Sequence, residues 1–373
     1  MLAVTVSALS VDVGSAPAAP VAAPPRPRQY ALDALRVLAI CGVVAIHVVS
    51  QYVDNPARGS RSWWIATAID LGAIWTVPVF VMISGALVLA PAAHRAGPAA
   101  FYRKRFARIV PALIAWHVIY LVVVRMLLRG EHLTAKSVTK MLIDGKTYTA
   151  LYFLWLIAGL YIVAPVLAAF LHAGIEKRAK IMAGVALGWT LVAFMIPELG
   201  RTIGLSRPLT LGAWTMWWPY VGYFLAGWAL RRTRLGSRGI VVASLLGLAV
   251  LIPTIRWYGA GYPHPALRIL FPVGYLGATA AVAAICLFIV ALSIGARHEP
   301  GPRAATVLVR LSDASFGVFL VHLLILAVIR SAAPDLPIGT SLAAALATWA
   351  AVVVTSFAIS IGAARVPYLR AIF

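Results

Sequence analysis

A chain of 373 residues in which 62% are hydrophobic and only 12% charged is far from the make-up of a soluble domain, where about half the residues are apolar and a quarter charged. A soluble fold of this length has no interior large enough for that much apolar sequence. The formal charge of +21 would suit nucleic acid in a soluble protein. Here the basic residues cluster between long apolar runs, where membrane topology accounts for them better, and such clusters can also hold an anionic substrate.

The chain opens with an Ala-, Pro- and Val-rich stretch, "SAPAAPVAAPPRPR", with five prolines from Pro17 to Pro27 that exclude a helix. It lacks the basic start and continuous apolar run of a signal peptide. Residues 1–29 are expected to form a disordered cytoplasmic tail, ahead of one polytopic membrane domain over 30–373. Ten apolar spans follow, near 31–52, 63–90, 109–128, 151–173, 181–197, 212–230, 240–257, 269–295, 311–329 and 338–362. All are predicted to be helices, because lipid offers no partner to unpaired backbone groups. Span 181–197 is short. Span 63–90 is long and carries Pro78, which predicts a kink or partial burial in protein. With a cytoplasmic N-terminus, 19 of the 32 Lys and Arg fall in inside-facing segments and 10 in outside-facing ones. That bias places both termini in the cytoplasm. The fold class is therefore all-α integral membrane, with about ten transmembrane helices.

Ionisable groups within such spans are costly and each needs a reason. The first span carries Asp33, Arg36 and His47. Asp33 and Arg36, three apart, can pair on one helix face. Arg36 and His47 are eleven apart, about three turns, so both point the same way about 16 Å from each other along the axis. His47, with no metal-ligand companions, is a candidate general base; a packed histidine bonded to a neighbouring helix is the alternative. The loop 91–108 gathers Arg103, Lys104, Arg105 and Arg108 just before Pro111. Arg105 and Arg108 share a helix face, and guanidinium forks match phosphate bidentately. The cluster suits a phosphate-bearing cytosolic donor such as a coenzyme A thioester, or a positive-inside anchor.

In "SDASFGVFLVH", Ser315 lies two turns before His322 and can share its side, whereas Asp313, nine residues earlier, should face the opposite way. His117 and Asp70 are expected to make structural hydrogen bonds. Trp63, Trp64, Trp217, Trp218 and Tyr220 fit an interfacial belt. Cys41 and Cys286 lie in separate apolar spans and are expected to be buried small residues. No metal-ligand spacing and no disulfide framework is present in the sequence.

Several of these pieces, in order, resemble the membrane-bound acyltransferase-3 family. "RQYALDALRVLAICGVVAIHV" is similar to its opening helix, with Asp-x-x-Arg and a histidine eleven residues after the arginine: Asp33, Arg36 and His47. "VPVFVMISGALVL" (77–89) is similar to its second-span pattern with Ser-Gly, here Ser84 and Gly85. "FYRKRFARIVP" (101–111) carries its Arg-x-x-Arg as Arg105 and Arg108. "LYFLWLIAGLYIVAPVL" (151–167) is similar to its fourth span and "SFGVFLVH" (315–322) to its late Ser-Tyr-Gly-x-Tyr-Leu-x-His. The resemblance covers about 30–330. There are departures: many relatives begin the fourth span with His-Leu-Trp-Phe-Leu, where this chain has Ala150, Leu151, Tyr152, Phe153 and Leu154, and Phe316 and Phe319 replace tyrosines.

The resemblance implies the stand-alone form of an integral membrane O-acyltransferase, an acyltransferase for groups other than amino-acyl groups, in the cell membrane. The implied donor is a cytoplasmic acyl-CoA, acetyl-CoA by default, acting as co-substrate with no permanently bound cofactor and no metal. The implied acceptor is a hydroxyl of a cell-envelope glycan, a lipid-linked sugar or a similar molecule. The surroundings are membrane lipids, with no nucleic acid. His47 becomes the catalytic candidate, as general base or as acyl carrier, with Arg36 and Asp33 beside it. Arg36 would steer the donor's arm or an oxyanion, and Arg105 and Arg108 would hold its phosphates. His322, Ser315 and Ser84 are further candidates. The rival classes are an exporter of a polar lipid or glycan and a membrane scaffold. Broken helices in matching halves would favour transport, and no such pair stands out in the sequence.

Overall fold

The computed structural model describes residues 28–54, 58–174, 176–205 and 208–373. The tail expected over 1–29 lies outside them, save for Arg28 and Gln29. Every element in the described residues is helical, as lipid requires of a chain whose backbone groups must be satisfied locally.

Helix α1 spans Tyr30–Val53. The expected span 63–90 is two helices, α2 (Arg61–Gly72) and α3 (Thr76–Val88), separated by a three-residue break. Ser60 caps α2 by accepting from the Trp63 amide at 3.1 Å. Pro78 falls in the first turn of α3, where its missing N–H would have no helical partner. After the short α4 (Pro91–His94), α5 runs over Gly97–Ile119 and continues as a π-helical stretch, Tyr120–Leu128. The basic cluster 103–108 therefore lies on a helix rather than in a loop. Arg and Lys are good helix formers, and Pro98 starts the helix at a position that tolerates it.

Helix α6 (Ala135–Ile143) opens with a Thr134–Ser137 capping box. Helices α7 (Tyr152–His172) and α8 (Glu176–Thr202) follow, α8 being longer than the expected 181–197. Then come α9 (Val221–Leu230), α10 (Ser237–Ala260), α11 (Pro265–Leu270), α12 (Ala278–Gly295), α13 (Pro302–Ala332) and α14 (Leu342–Ala363).

Among the described residues nine helices are long and apolar enough to cross a membrane, counting α2 with α3 and α5 with its π-helical extension. The expected span 212–230 is not one of them. Pro219 lies in a 3-10 turn, Trp218–Tyr220, and only the ten residues of α9 are α-helical. The segment still traverses the bundle. Arg36 meets Ser312 and His47 meets His322, so α1 and α13 run parallel, which requires an odd number of crossings between them. The other helices supply six, and the segment leading into α9 supplies the seventh. It runs back along α8, where Thr190 Oγ1 donates to the Pro219 carbonyl at 3.0 Å. Arg28 bonds Asp313, and Asp313 shares a recess with Arg370 and Phe373. Both described chain ends thus lie at one face of the bundle.

Large apolar side chains on α8 and α10, such as Val185, Trp189, Ile196, Val242 and Leu245, are exposed, as a lipid-facing surface demands. Trp63 and Tyr220 correct the belt expectation, because both are buried. Trp63 Nε1 donates to the Val53 carbonyl at 2.9 Å, which satisfies the indole inside the bundle. Cys286 is buried and Cys41 half-buried, both as free thiols.

Helices α3 and α9 approach closely at two glycines. A Cβ on Gly85 would fall on the Phe224 carbonyl, and one on Gly227 on the Met82 carbonyl. Small residues at such crossings let membrane helices pack backbone to backbone. Gly227→Leu is therefore expected to destabilise the bundle by about 1–3 kcal/mol, the range for overpacking a tight core, seen as a lower thermal-unfolding midpoint in detergent. A midpoint equal to wild type would show that the two helices can separate freely.

Candidate active site

The site is built on the parallel seam between α1 and α13. Asp33 is 5% exposed at the start of α1. Its carboxylate accepts from Arg28 Nε at 2.8 Å, from Arg28 Nη2 at 3.1 Å and from Ser312 Oγ at 2.6 Å. Ser312 in turn accepts from Arg36 Nη1 at 2.8 Å. The expected Asp33–Arg36 pair exists but is long, 3.8 Å, and Ser312 bridges it. Arg28 Nη2 also reaches Asp313 at 3.1 Å. The hydrogen bond that Arg28 donates to Asp33, the largest influence, and the Asp313 carboxylate hold the Arg28 guanidinium above its ordinary pKa.

About three turns further along α1, the His47 ring lies 5.4 Å from that of His322, tilted by 36°. His322 is fully buried. Its Nδ1 faces the carbonyls of Phe319, at 2.7 Å, and Val318, at 3.1 Å. Both are acceptors, so Nδ1 carries the proton and Nε2 keeps its lone pair. That Nε2 is buried and has no hydrogen-bond partner among the described residues. Tyr120, at the start of the π-helical stretch, donates to the Leu320 carbonyl at 2.8 Å and accepts from the Leu324 amide at 3.0 Å. It thereby grips α13 on either side of His322. Beyond the imidazoles, the Gln51 side-chain amide lies against the Arg330 guanidinium of α13.

A cavity of about 390 Å³ leads toward this pair. Lys104, Arg105, Arg108, Arg36 and Asp313 line it, as do Ser84, Ser315 and Tyr161, and Phe153, Phe316 and Phe319 make part of its wall apolar. Arg105 lies over the rings of Phe101 and Tyr161, at 5.7 and 5.5 Å, and Arg108 over Phe316 at 5.4 Å. These cation–π contacts hold the guanidinium planes without neutralising them. The cavity reaches Val43 and Phe319, one helical turn short of His47 and His322.

The structure thus gathers Arg36, Arg105, Arg108, Ser84 and Ser315 around one space and pairs His47 with His322 just past it. Asp33 lies behind Arg36 and does not line the cavity. The Ser315 hydroxyl is occupied locally, donating to the Leu311 carbonyl at 3.0 Å. Asp313, expected to face away from His322, nevertheless lines the cavity and is bonded to Arg28. His117 makes the structural hydrogen bonds expected of it, to the Leu113 carbonyl and from Trp155 Nε1. Asp70 departs from that expectation: its Oδ1 is buried with no partner among the described residues.

Sequence reasoning missed Arg28, Ser312 and Tyr120. Ser312 had a faint signal. It precedes His322 by ten residues, nearly the spacing between Arg36 and His47, but that match has meaning only once α1 and α13 are known to be neighbours. The departures Phe316 and Phe319 line the cavity, beside Phe153, which keeps the residue of the family pattern.

Comparisons with curated proteins and with solved structures gave no match. A family model described as an acyltransferase domain matches residues 29–365, from just before α1 to just past α14. The match takes in Asp33, Arg36, His47, Arg105, Arg108, Ser312 and His322. With nine membrane-length helices among the described residues and a match over nearly its whole length, the chain belongs to the acyltransferase-3 family of multi-pass membrane proteins.

Proposed function

We propose that this protein transfers an acyl group, acetyl by default, from a cytoplasmic acyl-CoA to a hydroxyl of a cell-envelope glycan, a lipid-linked sugar or a similar acceptor. It acts in the cell membrane with the Arg28 face toward the cytoplasm. The observation that supports this most is the cavity itself. Three cations, Lys104, Arg105 and Arg108, stand along it, part of its wall is apolar, and a pair of imidazoles lies one turn past its inner end.

The geometry divides the labour. Arg105 and Arg108 bind the phosphates of the donor, whose long arm carries the thioester inward. Arg36 is fixed to Ser312, eleven residues and about 16 Å along the axis from His47. That separation leaves it the task of steering the arm rather than stabilising an oxyanion at the imidazoles. His47 either removes the acceptor's hydroxyl proton as the oxygen attacks the thioester carbonyl, or first takes the acyl group itself. In the first route the carbon–sulfur bond breaks and the thiolate leaves with the proton that the imidazole took from the hydroxyl. In the second the ring nitrogen displaces the thiolate, which leaves with the ring's own N–H proton, and the acceptor oxygen then breaks the acyl–nitrogen bond while its proton restores the N–H. His322 Nε2, an unpartnered acceptor beside the His47 ring, offers a second nitrogen to share that proton.

In membranes supplied with radiolabelled acetyl-CoA, wild type should move label into an envelope or lipid fraction. His47→Ala should lose that activity by at least about 10²-fold, the scale of general acid–base catalysis, with insertion unchanged. Wild-type transfer by this variant would overturn the mechanism. His322→Gln is expected to lower kcat while leaving the KM for acyl-CoA near its wild-type value. A change confined to KM would make His322 a donor contact. Replacing Arg105 and Arg108 together with Gln should raise that KM about tenfold or more, as the loss of charge-assisted hydrogen bonds does. An unchanged KM would return them to topology anchors.

A further inference from the structure

A second recess, of about 480 Å³, opens at the same face of the bundle. Four arginines line it: Arg108 from α5, Arg310 from α13, and Arg365 and Arg370 from the segment after α14. The one carboxylate side chain in its lining, Asp313, is already bonded to Arg28. No ion pair or side-chain hydrogen bond engages Arg108, Arg310, Arg365 or Arg370 within the described residues. A positive-inside bias puts basic residues in cytoplasmic loops, but it does not require residues from three separate segments to converge on one hollow. Convergent guanidinium groups with no ion pair among the described residues are an arrangement that binds phosphate.

Arg108 and Asp313 line both this recess and the cavity that leads to the imidazoles. One ligand with a phosphorylated head and a long arm can therefore occupy the two together. We propose that the second recess is a phosphate-binding site that seats the nucleotide end of the donor, with Arg365 and Arg370, which line this recess alone, on its phosphomonoester. This inference rests on acyl-CoA being the donor.

Coenzyme A and 3′-dephospho-coenzyme A differ only in that phosphomonoester. Calorimetric titration of the purified full-length protein in detergent with each compound tests the assignment. Wild type should prefer coenzyme A by about tenfold or more, the scale of a charge-assisted contact. Arg365→Gln with Arg370→Gln should remove that preference while keeping wild-type affinity for the dephospho compound, which also shows that the variant is folded. A double variant that retains the full preference would overturn the proposal. If that variant also loses bound phosphatidylglycerol by native mass spectrometry, the recess is a lipid headgroup site instead. A wild type that binds neither compound would remove the donor reading, and with it this inference.

Discussion

Asp33 carries a carboxylate into a helix that lipid would otherwise surround, and the α1–α13 seam is arranged to satisfy it. A charge in the membrane must find its partners within the protein, and removing one member of a buried pair costs far more than the pair contributes. Arg28 and Ser312 meet Asp33 directly, and Ser312 passes the connection to Arg36. These bonds fix the register between α1 and α13 near the start of α1. Because the two helices run parallel, the same register brings His47 to His322 about three turns further in. The ion cluster and the imidazole pair are two rungs of one ladder.

That register also explains why a cavity can exist beside the seam. Its wall is built by rings on α7 and α13, with Phe153 5.1 Å from Phe319. Apolar aromatic walls leave an arm-shaped space without leaving polar groups unpaired, whereas the cations stay toward the water. Tyr120 adds a third support. Its hydroxyl bonds to α13 backbone on both sides of His322, and it stacks on Tyr148 at 4.5 Å. The π-helical stretch that begins at Tyr120 belongs to a class of distortion often found at functional sites.

Much of this was legible in the sequence for a physical reason. Lipid forces helices on any apolar span, so composition alone fixed the fold class, and the Asp33, Arg36 and His47 spacing placed three polar groups on one helix. The boundaries were harder. Pro78 broke span 63–90 into α2 and α3, and Pro219 left only a ten-residue helix in 212–230. Hydropathy averages over both interruptions. The charge of 103–108 reads as loop because charge marks water, although charged residues extend helices well beyond the membrane. The pairing of His47 with His322 and the bridge through Ser312 depend on which helices are neighbours, and no periodicity within one helix encodes that. Ser315 shows the converse: it sits on the expected face, but its hydroxyl is spent on its own helix.

The account stands or falls on whether the donor's arm occupies the space between α1, α3, α7 and α13. With Cys41 and Cys286 replaced by Ala, a single cysteine at position 84, Ser84→Cys, would report from the cavity lining. Maleimide labelling of that cysteine from the Arg28 face should proceed in the free protein and be blocked by saturating acetyl-CoA. Equal labelling with and without acetyl-CoA would contradict the account, because the arm would then have to lie elsewhere.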